Sequence, residues 1–337
     1  MKFAITAGFH PRRPEQLSEH AQAAEAAGFS MVMAGDNPSV FGEHFASLAI
    51  IAVNTNRARV GSFISNTITR HPAVMTSGLA TIDALAPGRA YIGLGSGDTA
   101  ATNLGQKPGS IAQMEHYIRT MRDLLDKGEA TYRGAPVKMA FRRPGLPIFM
   151  SAGGPKALRL AGRVADGVFI ETGLTPEVIA DSRRQLAAGA AEAGRDPADI
   201  EIWWHARAAL AEDRQSAIDE VRSSIAGIGK RLSFNEGVGK LIPEDIWPRI
   251  AELGARYDNV NHVGATRPMA NAHLLDELGL RDYLADRFAL VGSAADYRRR
   301  LTELRELGVE NIAVAGTMAD PASWMQTMGR DVIPFFA

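Results

Sequence analysis

The sequence predicts an α/β protein built as a (β/α)8 TIM barrel, with an inserted helical segment after the seventh strand. Apolar, strand-like runs alternate with helix-like segments along almost all of its 337 residues, which is the pattern of βα units around a parallel sheet. Eight such units can be counted along the chain. Because an eighth strand can pair with the first, eight units favour a closed barrel. A doubly wound open sheet is the alternative.

Each predicted strand is a short apolar run between turn residues, as expected for buried parallel strands. The predicted strands are residues 3–7, 30–34, 58–64, 90–94, 147–150, 167–170, 200–208 and 311–315. The segments between them carry apolar residues at spacings of three and four, which predicts helices. The clearest of these are residues 17–27, 46–53, 114–125, 157–164, 178–193 and 294–307. Gly28 and Gly308 directly follow two of the helices, as C-cap glycines do.

Two stretches interrupt this alternation. Residues 128–145 predict a short β excursion, and residues 232–288 predict two or three helices inserted at the top of the barrel. Long insertions of this kind usually form lids, binding loops or oligomer contacts. Since α/β barrels reach this length as one unit, the whole chain 1–337 is expected to be a single domain.

Composition and charge narrow the classes of function. The chain is 46% hydrophobic and 22% charged, which is typical of soluble globular proteins. Its net charge of -1 gives no basic surface for nucleic acid, and no apolar run approaches the roughly 20 residues that a membrane span needs. The absence of cysteine excludes disulfides, thiolate metal sites and a cysteine nucleophile. With no signal peptide at the start, we expect a cytoplasmic protein with a small-molecule substrate.

Polar residues directly follow the third predicted strand. The stretch 57–72 begins as a buried strand and then turns into Ser65, Asn66 and Thr67 before a new helix opens. In a (β/α)8 barrel the carboxyl ends of the strands carry the chemistry, so these side chains are candidates for ligand contact. A capped turn from strand to helix, with no ligand, is the alternative.

The second and fourth predicted strands also end in candidate site residues. Asp36 follows the second strand, where it is a candidate acid, base or ligand contact, or else an Asx cap of the turn. After the fourth strand, the run 93–105 contains Gly95 and Asp98, and its closely spaced glycines let backbone approach a flat or anionic ligand. This run is not a dinucleotide fingerprint, because the next predicted helix begins only near Gly109. A tight turn without a ligand is the alternative.

A glycine-rich turn leads from the fifth predicted strand into a helix. It runs from Ser151 through Gly153 and Gly154, and Pro155 follows at the start of the helix. Free backbone N–H groups and the helix dipole at such a turn bind anions, and a phosphate is the natural occupant. Simple helix initiation by proline is the alternative.

The histidines do not form a metal motif. None has the paired spacing of a metal site, and the chain contains neither a GxSxG elbow nor a Walker loop. No metal is therefore expected. His10 follows the first predicted strand and His205 lies in the seventh, so both can face the mouth of the barrel, whereas His262 lies in the insertion.

Three segments together carry a resemblance to a known family. They are SNTITRHP at 65–72, GLGSGDTAATNLG at 93–105 and SAGGPKALRLAGRVADGVFIETG at 151–173. The combination resembles the bacterial luciferase-like oxidoreductases, in the branch that includes methylene-tetrahydromethanopterin reductase, and the similarity covers nearly the whole chain. Members of this family are (β/α)8 barrels that bind FMN or the deazaflavin coenzyme F420 at the carboxyl end of the barrel, often as homodimers.

The resemblance implies a set of site residues. It places a non-prolyl cis peptide at Phe63–Ile64 behind the flavin ring, with Asn66 beside the ring. The implied cofactor-binding residues are Phe63, Ile64, Asn66, Gly95, Ser151, Gly153 and Gly154, and the implied catalytic residues are Asp36 and Asp98. The chain has Asn37 where deazaflavin reductases often have histidine, and Thr67 where a proline often follows the asparagine.

Three functions are consistent with this resemblance. The leading hypothesis is an FMN-dependent monooxygenase that acts on a small organic substrate, with a separate flavin reductase able to supply the reduced cofactor. The nearest alternative is a hydride transferase or reductase that uses coenzyme F420 without oxygen chemistry. The third is a flavin-binding protein without catalysis. The residues do not distinguish the first two functions, because FMN and F420 place the same three-ring system in the same binding site.

Overall fold

Eight parallel strands close into a barrel in the computed structural model of the chain, which describes residues 1–7, 13–258, 269–315 and 320–337. The strands of the described residues are β1 (Lys2–Ala7), β2 (Met31–Ala34), β3 (Arg59–Ser62), β4 (Ser65–Asn66), β5 (Ala90–Gly95), β6 (Glu129–Tyr132), β7 (Ala135–Lys138), β8 (Ile148–Ala152), β9 (Gly167–Ile170), β10 (Glu201–Leu210), β11 (Ala289–Gly292) and β12 (Asn311–Val314). The barrel order is β10, β12, β1, β2, β3, β5, β8 and β9, and β9 pairs again with β10. The predicted TIM barrel is confirmed, and the open sheet is wrong.

Helices connect the strands and cover the outside of the barrel. Those of the described residues are α1 (Glu15–Ala26), α2 (His44–Asn54), α3 (Pro72–Leu85), α4 (Asp98–Thr102), α5 (Ile111–Lys127), α6 (Pro155–Val164), α7 (Pro176–Glu192), α8 (Arg214–Gly229), α9 (Trp247–Arg256), α10 (Met269–Glu277), α11 (Arg281–Phe288), α12 (Ala294–Glu306) and α13 (Pro321–Thr327). None of these is long and apolar enough to cross a membrane. The apolar residues between strands and helices form the largest core of the structure, because each strand buries its outward face there.

The two predicted interruptions have the expected kinds of structure. Residues 128–145 contain the antiparallel hairpin of β6 and β7. Residues 232–288 contain α9, α10 and α11, which share an apolar core with α8 and β11 outside the barrel. The role of this insertion, and the single-domain organisation of the whole chain, stay predictions.

Strand β11 and helix α4 are short elements that the sequence did not predict. Strand β11 has four residues and follows α11 without an intervening turn residue, so no glycine or proline marks its start. It pairs with Arg207–Leu210, the last part of β10. Helix α4 has five residues and begins directly after Gly97, which has a φ of 102°. A helix of this length is too short to show an apolar period in the sequence, so α4 was not expected. It precedes the helix that was expected near Gly109.

Aromatic side chains fill the interior of the barrel. The rings of Tyr91 and Phe149 lie 4.9 Å apart, and those of Phe149 and Phe169 lie 5.5 Å apart. Gly61 makes room for this layer, because a Cβ atom there would lie 2.4 Å from the Tyr91 ring. At the base, Glu201 accepts from Arg59 at 2.7 Å across the barrel. The middle and the base of the barrel are therefore packed, so the carboxyl ends of the strands are the place where a ligand would bind.

Candidate active site

The residues predicted to bind the cofactor meet at the carboxyl end of the barrel. The peptide bond between Phe63 and Ile64 is cis, as the resemblance implied, and it lies between β3 and β4. A Cβ atom built at Gly95 would lie 3.5 Å from Ile64 and 3.8 Å from the Cβ of Ser151. Residues from the third, fourth and fifth predicted strands thus form one continuous wall, which is the arrangement expected for one side of a flat ligand.

Asn66 combines a turn contact with an unused donor. Its side-chain oxygen accepts from the backbone N–H of Ile68 at 3.0 Å and of Thr69 at 2.8 Å. Because only the oxygen of an amide can accept, these two bonds fix the orientation of the group. The nitrogen Nδ2 is buried and has no partner among the described residues, and neither has the hydroxyl of Thr67. The side-chain oxygen of Asn66 therefore fits the interpretation as a turn, and its unpaired Nδ2 fits the interpretation as a ligand contact.

Asp36 is held within a buried ion pair. Its Oδ2 accepts from the hydroxyl of Ser65 at 2.5 Å and also from the guanidinium of Arg70. Arg70 in turn donates to Glu43 at 2.9 Å. The cap of this turn is Asn37, whose side-chain oxygen accepts from the N–H of Ser39, so the proposed Asx cap lies one residue later than Asp36. Asp36 lies at the predicted place, with its carboxylate bound by groups of the protein itself.

Next to this ion pair lies a histidine with both nitrogens bonded. His44 Nδ1 lies 3.2 Å from the carbonyl oxygen of Gly35, and its Nε2 lies 2.6 Å from the hydroxyl of Ser62. Since a carbonyl only accepts, Nδ1 carries the proton and Nε2 accepts from the serine. Burial lowers the pKa of His44, with Asp36 acting in the opposite direction. The imidazole is therefore neutral and serves the packing of this corner.

Asp98 is bridged to a second carboxylate by an arginine from outside the barrel. Arg231 donates through Nε to Asp98 at 3.1 Å and through Nη1 to Glu171 at 2.7 Å. It belongs to the turn that follows α8, whereas the two carboxylates follow β5 and β9. The Asp98 side chain keeps 25% of its surface exposed. Asp98 is predicted from the sequence but its two partners are not, although Glu171 directly follows a predicted strand.

The last strand-end residues of the site lie on β10. The ring of His205 packs 4.9 Å from that of Phe63, and neither of its nitrogens has a hydrogen-bond partner among the described residues. Its Nδ1 lies 3.9 Å from Glu171, which is too long for a hydrogen bond. Burial, followed by the charges of Arg207 and Arg231, holds the pKa of His205 well below its ordinary value, so the ring is neutral. His205 faces the mouth as predicted, whereas His10 and His262 lie outside the described residues.

The predicted phosphate turn is open. A Cβ atom at Gly153 would have no neighbour within 4 Å, and one at Gly154 would meet only Lys240, at 3.8 Å. No side chain caps the N-terminus of α6. Within the described part of the chain, the backbone N–H groups of Lys156 and Ala157 have no acceptor. Space, free donors and the positive end of a helix dipole together fit a phosphate group.

These features fit the kind of cofactor that the resemblance implied. A flat ring with carbonyl acceptors would satisfy the buried donor of Asn66, and a phosphate would satisfy the N-terminus of α6. No cluster of three or more histidine, aspartate or glutamate side chains suited to metal binding occurs in the described ranges. The arrangement can hold a flat phosphorylated ligand and present Asp98 to a second molecule.

Comparison with known proteins gives a consistent picture. A family model described as luciferase-like monooxygenase matches residues 1–311. The chain is 28% identical to a 5,10-methylenetetrahydromethanopterin reductase of Methanolobus tindarius, over 99% of this chain and 100% of that protein. It is 26% identical to an F420-dependent glucose-6-phosphate dehydrogenase of Beutenbergia cavernae, over 95% of this chain and 93% of that protein.

A solved structure supports the fold. The coenzyme F420-dependent tetrahydromethanopterin reductase of Methanopyrus kandleri superposes with a TM-score of 0.79 and 22% identity, covering 100% of this chain and 99% of that one. At this identity the match concerns the fold alone. The predicted barrel therefore agrees with an experimentally determined relative in architecture as well as in length.

Proposed function

The chain belongs to the luciferase-like monooxygenase family, and we propose that it is an oxidoreductase that uses coenzyme F420 for hydride transfer to or from a small organic molecule. The observation that carries this proposal is that similar proteins named as F420-dependent, or as methylenetetrahydromethanopterin reductases, align over at least 95% of the chain. The FMN-dependent monooxygenase, which is the leading hypothesis from sequence, is favoured by the family description, whereas the similar proteins named above favour F420.

Residues of the chain have separate tasks in holding the cofactor. Asn66 donates its free Nδ2 hydrogen to a ring acceptor, while its oxygen keeps the turn in place. Gly153 and Gly154 leave room for the phosphate at the N-terminus of α6. The wall of Ile64, Gly95 and Ser151 shields one side of the ring from water. When bound, the deazaflavin supplies a hydride carrier, because it has carbon where a flavin has N5.

Asp98 is the stronger candidate for the proton transfer that accompanies hydride transfer. Its Oδ2 accepts from Arg231, which leaves Oδ1 to exchange a proton with the substrate. The bridge by Arg231 to Glu171 fixes the position of the carboxylate. Asp36 is less suited to this task, because Ser65 and Arg70 both bind its Oδ2 in a buried setting. We therefore assign Asp98 to proton transfer and Asp36 to the support of the third-strand turn.

A binding experiment tests the choice of cofactor. Purified protein is titrated with oxidised F420 and, separately, with FMN, and binding is followed by absorbance and fluorescence of the ring. We expect saturable binding of F420 at one site per chain and weaker binding of FMN. Tighter binding of FMN, with oxygen uptake when reduced FMN and a substrate are present, would support the monooxygenase instead.

A pair of variants tests the assignment of Asp98. Asp98→Asn should keep F420 binding and lose most of the turnover, since an amide cannot accept the proton. Asp331→Asn is the matched control, because Asp331 pairs with Arg330 on the surface and lies on the C-terminal segment of the chain. Unchanged turnover in Asp98→Asn would remove Asp98 from the reaction. Dimerisation, a cytoplasmic location and the partnership with a flavin reductase stay predictions.

A further inference from the structure

Unused buried polar groups also occur on the side of the barrel opposite Asn66. In the barrel order, β10 lies four strands away from β3. His205 and Arg207 are two residues apart on β10, so both lie on the face of the strand that turns to the barrel interior. Among the described residues, the Nε atom of Arg207 is buried without a partner. The hydroxyl of Thr6 on β1 is also buried without a partner. We propose that Arg207, together with His205 and Thr6, binds a carboxylate group of the substrate; this rests on the proposed function.

The guanidinium of Arg207 has one edge in use and one edge free. Its Nη1 donates to the carbonyl oxygen of Ala315 at 3.0 Å. Neither Nε nor Nη2 donates to any described residue. The Nε and Nη2 atoms form the fork of a guanidinium that matches the two oxygens of a carboxylate. A planar carboxylate is therefore a better fit to the free edge than a single neutral acceptor.

The charges around Arg207 leave it without a carboxylate of the protein. Among the described residues, no aspartate or glutamate forms an ion pair with it. Asp98 and Glu171 both pair with Arg231, and Glu171 acts on Arg207 only through the longer-range attraction of its charge. The stretches 8–12, 259–268 and 316–319, which the structure does not describe, contain no acidic residue. A buried cation without a counter-ion is costly, so a bound anion would stabilise this side of the mouth.

The pKa of Arg207 agrees with this interpretation. Burial, and then the positive charge of Arg231, lower it to about 10, with Glu171 and Tyr257 acting in the opposite direction. The guanidinium stays charged near neutral pH, and the protein compensates its charge only in part. An anion placed at its free edge would return the pKa toward the ordinary value, because an opposite charge favours the protonated form.

The strand between β10 and β1 carries small side chains at this level. Ala313 and Ala315 on β12 lie between β10 and β1, and both belong to the interior of the barrel. Two strand spacings of about 4.8 Å separate the backbones of Thr6 and Arg207 by roughly 10 Å, a distance that the long arginine side chain can largely bridge. The neutral ring of His205 adds a hydrogen-bonding group without further charge.

The test compares an anion with a neutral molecule of the same shape. Wild-type protein is titrated with acetate and with acetamide at constant ionic strength, and the thermal unfolding midpoint and heat of binding are measured. We expect acetate to raise the midpoint and acetamide to have little effect. In Arg207→Met the affinity for acetate should fall about 10- to 100-fold, the loss of one bidentate charge-assisted contact.

The matched control is Arg281→Met. The Nε atom of Arg281 is likewise buried without a partner, but its guanidinium is paired with Asp219 at 2.7 Å outside the barrel. This variant should lose stability and keep the response to acetate. Arg207→Met should keep or gain stability in the absence of ligand, because it removes an unpaired charge. If Arg207→Met does not fold, Arg207→Lys keeps the charge without the fork and should weaken acetate binding.

Several results would overturn the proposal. One is an equal effect of acetate and acetamide on the wild type, and another is an unchanged acetate response in both Arg207 variants. A third is loss of F420 binding in Arg207→Met, which would make Arg207 a cofactor contact. Failure of wild-type protein to bind F420 would overturn the proposed function alone, since the acetate response is measured without cofactor.

Discussion

Two buried polar regions at the mouth of the barrel differ in how far their hydrogen-bonding groups are satisfied. In the first, which we call the Asp36 corner, Asp36 is bound by Ser65 and Arg70. In the second, the β10 face, His205 has no hydrogen-bond partner and Arg207 leaves one edge of its guanidinium free, within the described structure. Both lie at strand ends, so position alone does not tell them apart.

We infer that the difference separates residues that support the fold from residues that bind a ligand. Burying a polar group is costly unless it is paired, so natural proteins pair nearly all of them. A completed network such as the Asp36 corner stabilises the structure without a ligand. An incomplete one such as the β10 face is explained when a ligand supplies the missing partner. This contrast leads to four predictions, which run from the largest expected effect to the smallest.

The first prediction concerns the loss of a hydrogen-bond partner in the Asp36 corner. Arg70→Met removes the partner of Asp36, whose side chain is only 3% exposed, and leaves its charge buried. We expect the free energy of unfolding to fall by about 3 to 5 kcal/mol, as measured by urea unfolding. Arg330→Met, which removes an exposed ion pair with Asp331, is the control and should change stability by less than about 0.5 kcal/mol. A similar small change in both variants would contradict the stabilising role of the corner.

The second prediction compares the two buried histidines. His44→Leu should cost about 1 to 3 kcal/mol at pH 7.5, because it leaves Ser62 and the carbonyl of Gly35 unpaired. His205→Leu should cost less than about 1 kcal/mol, because no bond is lost. Urea unfolding of both variants measures the difference. Equal costs would show that the β10 face contributes as much to the fold as the Asp36 corner.

The same pair predicts a dependence on pH. Burial lowers the pKa of both His44 and His205, so below about pH 6.5 the unfolded chain binds protons that the folded protein does not. Stability should therefore fall as the pH decreases from about 7.5 to 5.5, by at most ~1.4 kcal/mol per pH unit for each histidine. Each leucine variant should remove its share of this slope. An unchanged slope in His205→Leu would contradict a neutral buried ring.

The third prediction distinguishes the roles of the oxygen and the nitrogen of the Asn66 side chain. Asn66→Ala removes both the turn acceptor and the free donor, so it should cost about 1 to 2 kcal/mol in stability and weaken F420 binding about 10-fold. Asn66→Asp keeps the acceptor and loses the donor. It should lose as much affinity as Asn66→Ala while losing less stability. Urea unfolding and fluorescence titration measure the two effects, and full affinity in Asn66→Asp would remove the donor from the cofactor site.

The fourth prediction has the smallest effect on stability. Gly153→Val places a branched side chain in open space, so the free energy of unfolding should change by less than about 0.5 kcal/mol. Binding of F420 should weaken much more than binding of its fragment that lacks the phosphate. Gly189→Ala is the steric control, because its Cβ would lie 2.0 Å from the carbonyl oxygen of Arg159 and should destabilise the fold. Equal loss of both ligands by Gly153→Val would contradict the phosphate site.

The barrel could be predicted because buried parallel strands appear in the sequence as continuous apolar runs. The short strand Ala289–Gly292 has such a run too. No turn residue separates it from the preceding helix, so its start cannot be recognised in the sequence. The helices of the insertion were expected, but not the contact of Arg231, in the turn after α8, with the site. That contact depends on where a distant turn folds back, which local patterns do not contain.

The site residues that lie near the ends of strands could be predicted from the sequence. Asn66 ends β4 and Asp98 lies three residues after the end of β5, and both lie at the mouth of the barrel. The alternatives for Asp36 could not be resolved from sequence, because its partner Arg70 lies on the far side of the next strand. Arg207 was missed although a signal existed. It follows His205 by two residues in a buried strand, and polar residues at that spacing point to one face.

The packed interior of the barrel also determines how molecules enter and leave. Among the described residues, Phe63 lies above the aromatic layer of Phe149 and Phe169, and the pair of Arg59 and Glu201 closes the base. Under the proposed function, the cofactor and the substrate would both enter through the mouth. The ligand that binds deeper would then bind first and leave last, so we expect an ordered kinetic mechanism.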